Sequence, residues 1–432
     1  MKTTNDTAIE RPDKLEKPHR RDQIPAKKVA YIMSRFPKLT ETFILYEMIA
    51  LENGGVSVEL FPLLKENQPV HHKEVARLMK KAHFHRFFSL PIFMANVYYL
   101  LRKPLIYLRT IFEVLSGTFG SKNFFFGAIG IIPKSVRFAY EMQNLGVEHV
   151  HAHFCNHPAV AAFIISKLTG IPFTFTAHGS DLHKDQRMLD QKVAAAAIAV
   201  TVSDYNKEVM VRKCGEAMRD KIKVIHCGID PALFECHDRS GHTGPLQILC
   251  VASYEAVKGH KFLVEACDVL TKRGVDFTCH LVGYGPLRAR VEAQIAALGL
   301  TERFVIHGGL PRSDVIELLK TADVFVLPSV PTPDGKREGI PVVLMEAMSS
   351  CLPVISSRLS GIPELVKDGE NGFLTAPGDV AGIADALVSL AENPSLRSEM
   401  GRRGRAFVSE AFNLQKNSQQ LFQLYNKRKL DV

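Results

Sequence analysis

From Lys27 onward, short runs of apolar residues alternate with longer stretches in which apolar positions recur every three or four residues. Val29 to Met33 and Val56 to Leu60 are predicted strands. Thr40 to Glu52 between them carries the helical period and stops at Asn53-Gly54-Gly55. The same half continues with predicted strands at His149 to Phe154, Pro172 to Ala177, Ala197 to Val202 and Ile222 to His226. Helical segments such as Pro158 to Leu168 and Asn206 to Lys213 alternate with them. A turn-rich break, Gly241-His242-Thr243-Gly244-Pro245, precedes a second series: Gln247 to Ala252, Phe277 to Val282, Phe304 to His307, Val324 to Pro328 and Pro353 to Ser356. Runs that are apolar throughout, each followed by a helical segment, predict parallel strands buried on both faces. The predicted architecture is therefore α/β: two doubly wound, Rossmann-like domains, 27–240 and 241–408, facing a central cleft. Ligands are expected beyond the strand C-terminal ends. Residues 1–26 mix alternating charges with Pro12, Pro18 and Pro25 and are expected to form a disordered leader. The helical stretch Leu414 to Lys427, within 409–432, is expected to pack back across the first domain.

Composition narrows the partners. The chain has 432 residues, 46% hydrophobic and 23% charged, an ordinary composition for two or three packed domains. Its net charge of +9 belongs to the first half: residues 1–240 carry 33 basic and 24 acidic side chains, residues 241–432 carry 21 of each. An anion or acidic surface is thus expected against the first domain. No segment clusters Lys and Arg densely enough for a groove binder, so no nucleic-acid partner is expected. The eight cysteines contain no C-x-x-C pair, and most sit in apolar runs such as Leu249-Cys250-Val251. They read as buried small hydrophobes rather than a disulfide framework. The N-terminal stretch lacks a signal-peptide core, and the longest run free of Asp, Glu, Lys, Arg and His, Phe87 to Leu101, is short for a bilayer span. A cytoplasmic protein is the expectation.

The strongest site signal is Glu338-Gly339-Ile340-Pro341-Val342-Val343-Leu344-Met345-Glu346, which follows the strand Val324 to Pro328 and opens a helix running to about Ser350. A glycine at a helix start exposes unpaired N–H groups and the positive end of the helix dipole, which suits a phosphate. Carboxylates accept from sugar hydroxyls, so two at this spacing can hold a sugar and a ribose on either side of a diphosphate. Without further context they are equally a helix-terminal charge and a solvated one.

These residues carry a resemblance. Glu-x-x-x-x-x-x-x-Glu in the second of two Rossmann-like domains resembles the retaining family 4 glycosyltransferases of the GT-B fold. Further segments match in order: Phe36-Pro37-Lys38-Leu39-Thr40-Glu41-Thr42-Phe43, His178-Gly179-Ser180-Asp181, Val202-Ser203-Asp204, Cys227-Gly228-Ile229-Asp230, Lys258-Gly259-His260, Val282-Gly283-Tyr284-Gly285-Pro286-Leu287, and Gly361-Ile362-Pro363-Glu364 before Asn371-Gly372-Phe373. The resemblance covers residues 27 to about 410, and its opening segment is most similar to bacterial exopolysaccharide enzymes of the colanic acid type.

The resemblance implies a nucleoside-diphosphate sugar donor (UDP or GDP) bound mainly by the second domain. It implies a glycan or lipid-linked saccharide acceptor bound mainly by the first, and transfer to an acceptor hydroxyl with retention. By it Glu338 touches the donor sugar hydroxyls, Glu346 the ribose and Lys258 the diphosphate. Gly339, Ile340, Ser253, Gly283 and Tyr284 line the donor, and Thr40, Glu41 and Asp181 stand on the acceptor side. Where the family commonly has Gly-Arg before the lysine, this chain has Ala252-Ser253. One expected cation is missing, and Arg337 is a candidate substitute.

His178 follows a strand-like run and precedes Gly179, placing it by the cleft either to hydrogen-bond the donor sugar during transfer or to cap a turn. Asp181 either orients an acceptor hydroxyl or caps the next helix. His151 and His153 share a strand face, but with no Cys or carboxylate at ligand spacing they read as structural or acceptor-side residues, and no metal site is expected. No Asp-x-Asp is present to hold a metal–diphosphate complex, so no cofactor or metal is expected. Gly283-Tyr284-Gly285 is a tight connection or a loop that lets a base approach the backbone. A sugar-nucleotide epimerase, a phosphorylase and a non-catalytic nucleotide-sugar-binding protein can share this architecture. Residues 84–140 hold seven Lys or Arg, one acidic residue and 14 of the chain's 36 Phe and Tyr. Either these aromatics form the first domain's core, or the segment docks on an anionic membrane surface.

Overall fold

In the apolar runs, alternate side chains reach both faces of a sheet, and the structure buries both: every residue of β4 (Phe173–Ala177) and β5 (Ile198–Thr201) is buried. The computed structural model describes residues 27–38, 41–66, 73–183, 185–242 and 244–425. The expected leader and Thr40 lie outside the described residues. With β1 (Lys28–Phe36), β2 (Ser57–Lys65), β3 (His149–His153) and β6 (Ile222–Val224), those two strands form a parallel sheet in the order β2-β1-β3-β4-β5-β6. The second sheet, also parallel, comprises β7 (Leu246–Val251), β8 (Phe277–Val282), β9 (Phe304–Gly308), β10 (Val324–Leu327), β11 (Val354–Ser357) and β12 (Gly372–Thr375), in the order β12-β11-β10-β7-β8-β9. The strand β12 has no counterpart in the sequence prediction: it is four residues long, opens on glycine and is held as a strand by pairing with β11.

Strand order reverses between β1 and β3 in one sheet and between β7 and β10 in the other. Crossovers leave to opposite faces at such points and open a crevice at the strand C-terminal ends. Seven helices frame the features described below: α1 (Thr42–Asn53), α2 (Leu90–Arg102), α3 (Pro104–Thr118), α4 (Lys122–Asn144), α5 (Arg312–Thr321), α6 (Val342–Ser349) and α7 (Leu414–Tyr425).

The chain crosses between domains earlier than the break at 241–245. Ile229 and Phe234 are buried in the second core. Arg239 is buried beside them, its guanidinium donating to the carbonyls of Ala322 (2.6 Å), His237 (2.8 Å), Leu319 (2.9 Å) and Ser350 (3.1 Å). Burial holds its pKa down to about 10. The return crossing is marked by Ile229 and Asn413, which form a parallel bridge. Beyond it α7 lays Leu421 and Tyr425 into the cluster of Tyr31, Ile44 and Met48 on the first domain.

Two of the cysteines are not the free buried thiols expected from the sequence. Cys236 and Cys351, 115 residues apart, are joined in a disulfide with a Cα separation of 5.1 Å. Only the docking of the interdomain segment beside the end of α6 brings them together. Cys155, Cys250, Cys267 and Cys279 are free and buried, the small hydrophobes expected.

Between β2 and β3 the helices α2, α3 and α4 form a lobe with a divided surface. Ala95, Tyr99, Val114 and Phe138 face the first core. On the outer side, Phe88, Leu101, Leu105 and Phe112 are 99%, 75%, 83% and 72% exposed. Among the described residues, fifteen of the nineteen exposed large hydrophobic side chains lie between Phe87 and Ile129. Large apolar side chains exposed in such number on one lobe mark an interaction surface.

Candidate active site

The loops after β7 and β10, neighbours at the switch point of the second sheet, carry the two best-placed side chains. Lys258 ends a short turn after β7 and Glu338 the loop after β10; their Nζ and Oε2 atoms are 2.9 Å apart, both mostly buried. No pairing of these residues is visible in sequence, where 80 positions separate them. Adjacent strands bring them together.

Gly339 follows Glu338 and touches the other domain. A Cβ there would meet the carbonyl oxygen of His178 at 2.5 Å, and one on Gly179 would meet Cα of Gly339 at 3.3 Å. The two loops therefore pass backbone to backbone across the cleft, which only glycine permits. The helix α6 begins three residues later at Val342, with its N-terminus at the same cleft. The side chain of Ile340 packs in the second core, so any contact it makes with a donor runs through its backbone.

Glu346, on α6, is mostly but not wholly buried and is paired with Arg312 of α5 at 3.4 Å. Burial pushes its carboxyl above the usual carboxylate range, against the pull of Arg312. Arg312 also lies over the ring of Tyr46 of α1, 4.7 Å from its centroid, so this cation bridges the domains. Sequence reasoning missed Arg312. Arg337, the candidate for the missing arginine, instead donates to Tyr205 Oη of the first domain at 3.1 Å. Ser253 lies on the loop after β7, and Gly283 crosses directly behind it, where a Cβ would meet the Ala252 carbonyl at 2.0 Å. The Tyr284 ring, 64% exposed, lies against Gly309 just before α5.

On the first domain, His178 stands at the end of β4, partly buried between the rings of Phe43 and Phe154, each 4.8 Å away. Burial, with His153 alongside, pushes its pKa well below the usual histidine value, so the ring is neutral. Asp181 is turned inward. Its Oδ1 accepts from the backbone of His178 (3.0 Å) and Gly179 (2.8 Å), and its Oδ2 from Cys155 N (2.7 Å). The carboxylate thus holds the histidine loop in shape rather than facing an acceptor. Glu41 precedes α1 and pairs with Lys38 at 2.5 Å. The Gly361-Ile362-Pro363-Glu364 segment also has a geometric role. The Glu364 carboxylate accepts from Asp204 N (2.8 Å) and Tyr205 N (2.9 Å), capping a first-domain helix from across the cleft.

The histidines of β3 differ from the sequence reading in one respect. A carboxylate does stand beside them: Glu47 of α1, with one ligand atom each from Glu47, His151 and His153 within 4.8 Å of one another. It comes from a helix over a hundred residues away, which spacing along the strand does not reveal.

This fold and cleft match known proteins. The family model "Glycosyl transferases group 1" matches residues 235–407 and "Glycosyltransferase Family 4" residues 118–233. The chain belongs to the glycosyltransferases of GT-B fold that these two models describe. It is 38% identical over 194 residues to the amylovoran biosynthesis glycosyltransferase AmsK of Erwinia amylovora, covering 45% of this chain and 48% of that one. It is 36% identical over 207 residues to the putative colanic acid biosynthesis glycosyltransferase WcaL of Escherichia coli, covering 48% and 51%. The chain thus spans about half the length of these curated relatives in its match to them. HepE of Anabaena in complex with UDP-glucose superposes with a TM-score of 0.67 at 18% identity, covering 92% of this chain and 98% of that one. Sucrose-phosphate synthase from Thermosynechococcus elongatus gives 0.68 at 19%, with the same coverage. At these identities the superpositions establish the fold alone.

Proposed function

We propose that the chain moves a sugar from a nucleoside-diphosphate donor to a hydroxyl of a saccharide acceptor during exopolysaccharide assembly, with retention and without a metal ion. The observation that carries this reading is the convergence of Lys258, Glu338 and the start of α6 on the loop of His178 at the two strand ends. Glycosyl transfer passes through a cationic sugar while the departing diphosphate gains negative charge. Lys258 and the N-terminus of α6 stabilise that charge, and Glu338 accepts from sugar hydroxyls while holding Lys258 in place. A double displacement needs a free carboxylate under the sugar. Glu338 is paired with Lys258, and Asp181 is bonded to three backbone N–H groups. This favours same-face attack, with the leaving phosphate taking the acceptor proton. Closure of the cleft excludes water as a competing acceptor. The names of AmsK and WcaL support an exopolysaccharide product.

A panel of radiolabelled nucleotide sugars, incubated with lipid extract, tests the reading. Donor-dependent label in a larger product supports it; an altered free nucleotide sugar means an epimerase, and no change means a binding protein. The same panel in excess chelator tests metal independence, which the lack of any Asp-x-Asp motif supports. Full activity is expected; activity that vanishes and returns only with magnesium or manganese overturns that part.

The acceptor is proposed to be lipid-linked and met at a membrane surface on which the lobe of α2, α3 and α4 lies. Support comes from its exposed apolar face, flanked by the exposed cations Arg86, Arg102, Arg109 and Lys122. Not all seven basic residues of 84–140 serve there. Lys134 is buried against the Leu63 carbonyl, Lys103 donates to the Leu168 carbonyl at 2.7 Å, and Arg137 is half-buried and pairs with Glu141 at 2.6 Å, whereas Arg109 pairs with Glu113 at 3.0 Å but leaves its side chain exposed. Among the described residues no helix is long and apolar enough to cross a membrane. The protein is expected to float with anionic liposomes, less as salt rises. Recovery is expected to fall several-fold when Arg86, Arg102 and Arg109 become Ser, and to vanish when Phe88 and Leu105 become Asp. Equal recovery with neutral vesicles, or none with either, removes the membrane from the reading.

A further inference from the structure

The strand β3 reads His149-Val150-His151-Ala152-His153, and all three histidines are fully buried. Side chains two apart share a strand face, so the rings stand in a row, and they are covered by α1 and α7: His149 stacks on Tyr425 at 4.6 Å, and Phe43 lies 6.5 Å from His153. A buried imidazole is costly unless its nitrogens find partners. The two rings nearest the cleft find them. His151 has Thr174 Oγ1 at 2.8 Å from Nδ1 and Thr176 Oγ1 at 3.2 Å from Nε2. His153 has Glu47 Oε1 at 3.0 Å from Nε2 and Nε2 of His178 at 3.0 Å from Nδ1. Glu47 also accepts from Tyr31 Oη at 2.7 Å, and Tyr31 Oη is 2.9 Å from Tyr425 Oη on α7. An unbroken row of hydrogen bonds thus runs from the last described helix, through Glu47 and His153, to the histidine that borders the cleft.

We propose that Glu47 and His153 are positioning residues for His178: the carboxylate decides which nitrogen of His153 carries hydrogen, and His153 in turn fixes the tautomer and plane of His178. The inference rests on the reading of His178 as a donor-side contact. An ionised carboxylate only accepts, so His153 donates from Nε2. In the neutral ring Nδ1 is then a lone pair, and His178 must donate to it from its own Nε2. What remains on His178 is an unprotonated Nδ1, 3.8 Å from Cys227 Sγ, able to accept from a hydroxyl. Without the carboxylate, both tautomers of His153 satisfy the contact with His178, and the outer nitrogen of His178 is no longer defined. Burial, which keeps His178 neutral, is consistent with this arrangement.

The same three groups, Glu47, His151 and His153, have the composition of a cation site. The network is favoured because both nitrogens of His151 already face threonine hydroxyls and the Glu47–His153 contact is at hydrogen-bond distance.

The test is a two-bond proton–nitrogen spectrum of the full chain with 15N-labelled histidine, His178→Asn identifying the His178 signals. The expected native spectrum shows His178 wholly as the Nε2–H tautomer. The native protein in the Nδ1–H form, or with His153 protonated on both nitrogens, overturns the proposal without any variant at Glu47. Glu47→Leu, similar in volume and without an acceptor, is expected to split or shift the His178 signals. It is also expected to lower turnover at least about tenfold with donor KM within about twofold, the pattern of a lost transition-state contact. Unchanged His178 signals in Glu47→Leu overturn the proposal. Stoichiometric transition metal in the purified protein, found by elemental analysis, overturns it in favour of a cation site. Full turnover by His178→Asn refutes the donor-side reading of His178 and leaves the tautomer result to be judged on the spectra.

Discussion

Glu338→Gln and Lys258→Ala are each expected to lower glycosyl transfer at saturating donor by about a hundredfold or more, with the unfolding temperature of the protein unchanged. Removing one preorganised electrostatic contact from a transition state costs on the order of 3 kcal/mol, which is that factor in rate. The two residues form one pair at 2.9 Å, so their effects are coupled. Without Lys258, the Glu338 carboxylate faces the incoming diphosphate uncompensated. Without the charge of Glu338, the ammonium loses its anchor as well as its partner. The double variant is therefore expected to be much less damaged than the product of the single effects. Turnover measured on folded, purified variants decides the matter: near-normal rates in either single variant place the chemistry elsewhere.

Arg239→Ala is expected to cause the largest loss of stability of any single surface-remote substitution outside the cleft, about 3 kcal/mol. The side chain is 4% exposed and donates to six backbone carbonyls, those of His237, Leu319, Lys320, Ala322, Ser350 and Cys351. Its removal leaves those carbonyls without donors in a space too confined for free hydration. For a unit of this size the loss corresponds to a fall of roughly 10 °C in the unfolding temperature. Arg239→Lys is expected to recover little, since one ammonium cannot reproduce a planar fork reaching several acceptors. Calorimetry on the two variants checks this, and a shift of only a degree or two in Arg239→Ala shows that the carbonyls rehydrate. The residual activity well below the transition is expected to be normal, since Arg239 does not reach the cleft.

Both predictions concern contacts between segments far apart in sequence, and that is where the legibility of this chain ends. Its apolar runs are long, β-branched and regularly spaced, and eleven of its twelve strands can be read from them, with boundaries displaced by a few residues. The exception, β12, is an edge strand of four residues whose extended form is maintained by β11 rather than by its own composition. The Glu338–Glu346 segment is equally legible, because a helix start with glycine and two carboxylates is a local pattern. Thr40 lies outside the described residues, and Glu41 and Asp181 turned out to be engaged by Lys38 and by backbone N–H groups.

What the sequence by itself determined, then, is what depends on neighbours along the chain: the alternation of strand and helix, hence two doubly wound domains, and the motif that opens α6. Periodicity and turn chemistry act over a few residues, and a hydrophobic run must be buried wherever it lies. What only the tertiary structure decided is everything that depends on which strands become adjacent. The β7–β10 neighbourhood pairs Lys258 with Glu338; the crossing of α1 over β3 sets Glu47 against His153; the docking of the interdomain segment joins Cys236 to Cys351. The exposure of the α2–α4 lobe belongs here too. Its aromatic residues look the same in sequence whether they fill a core or face outward, and only the packed sheets, which leave no further room, settle which side they occupy.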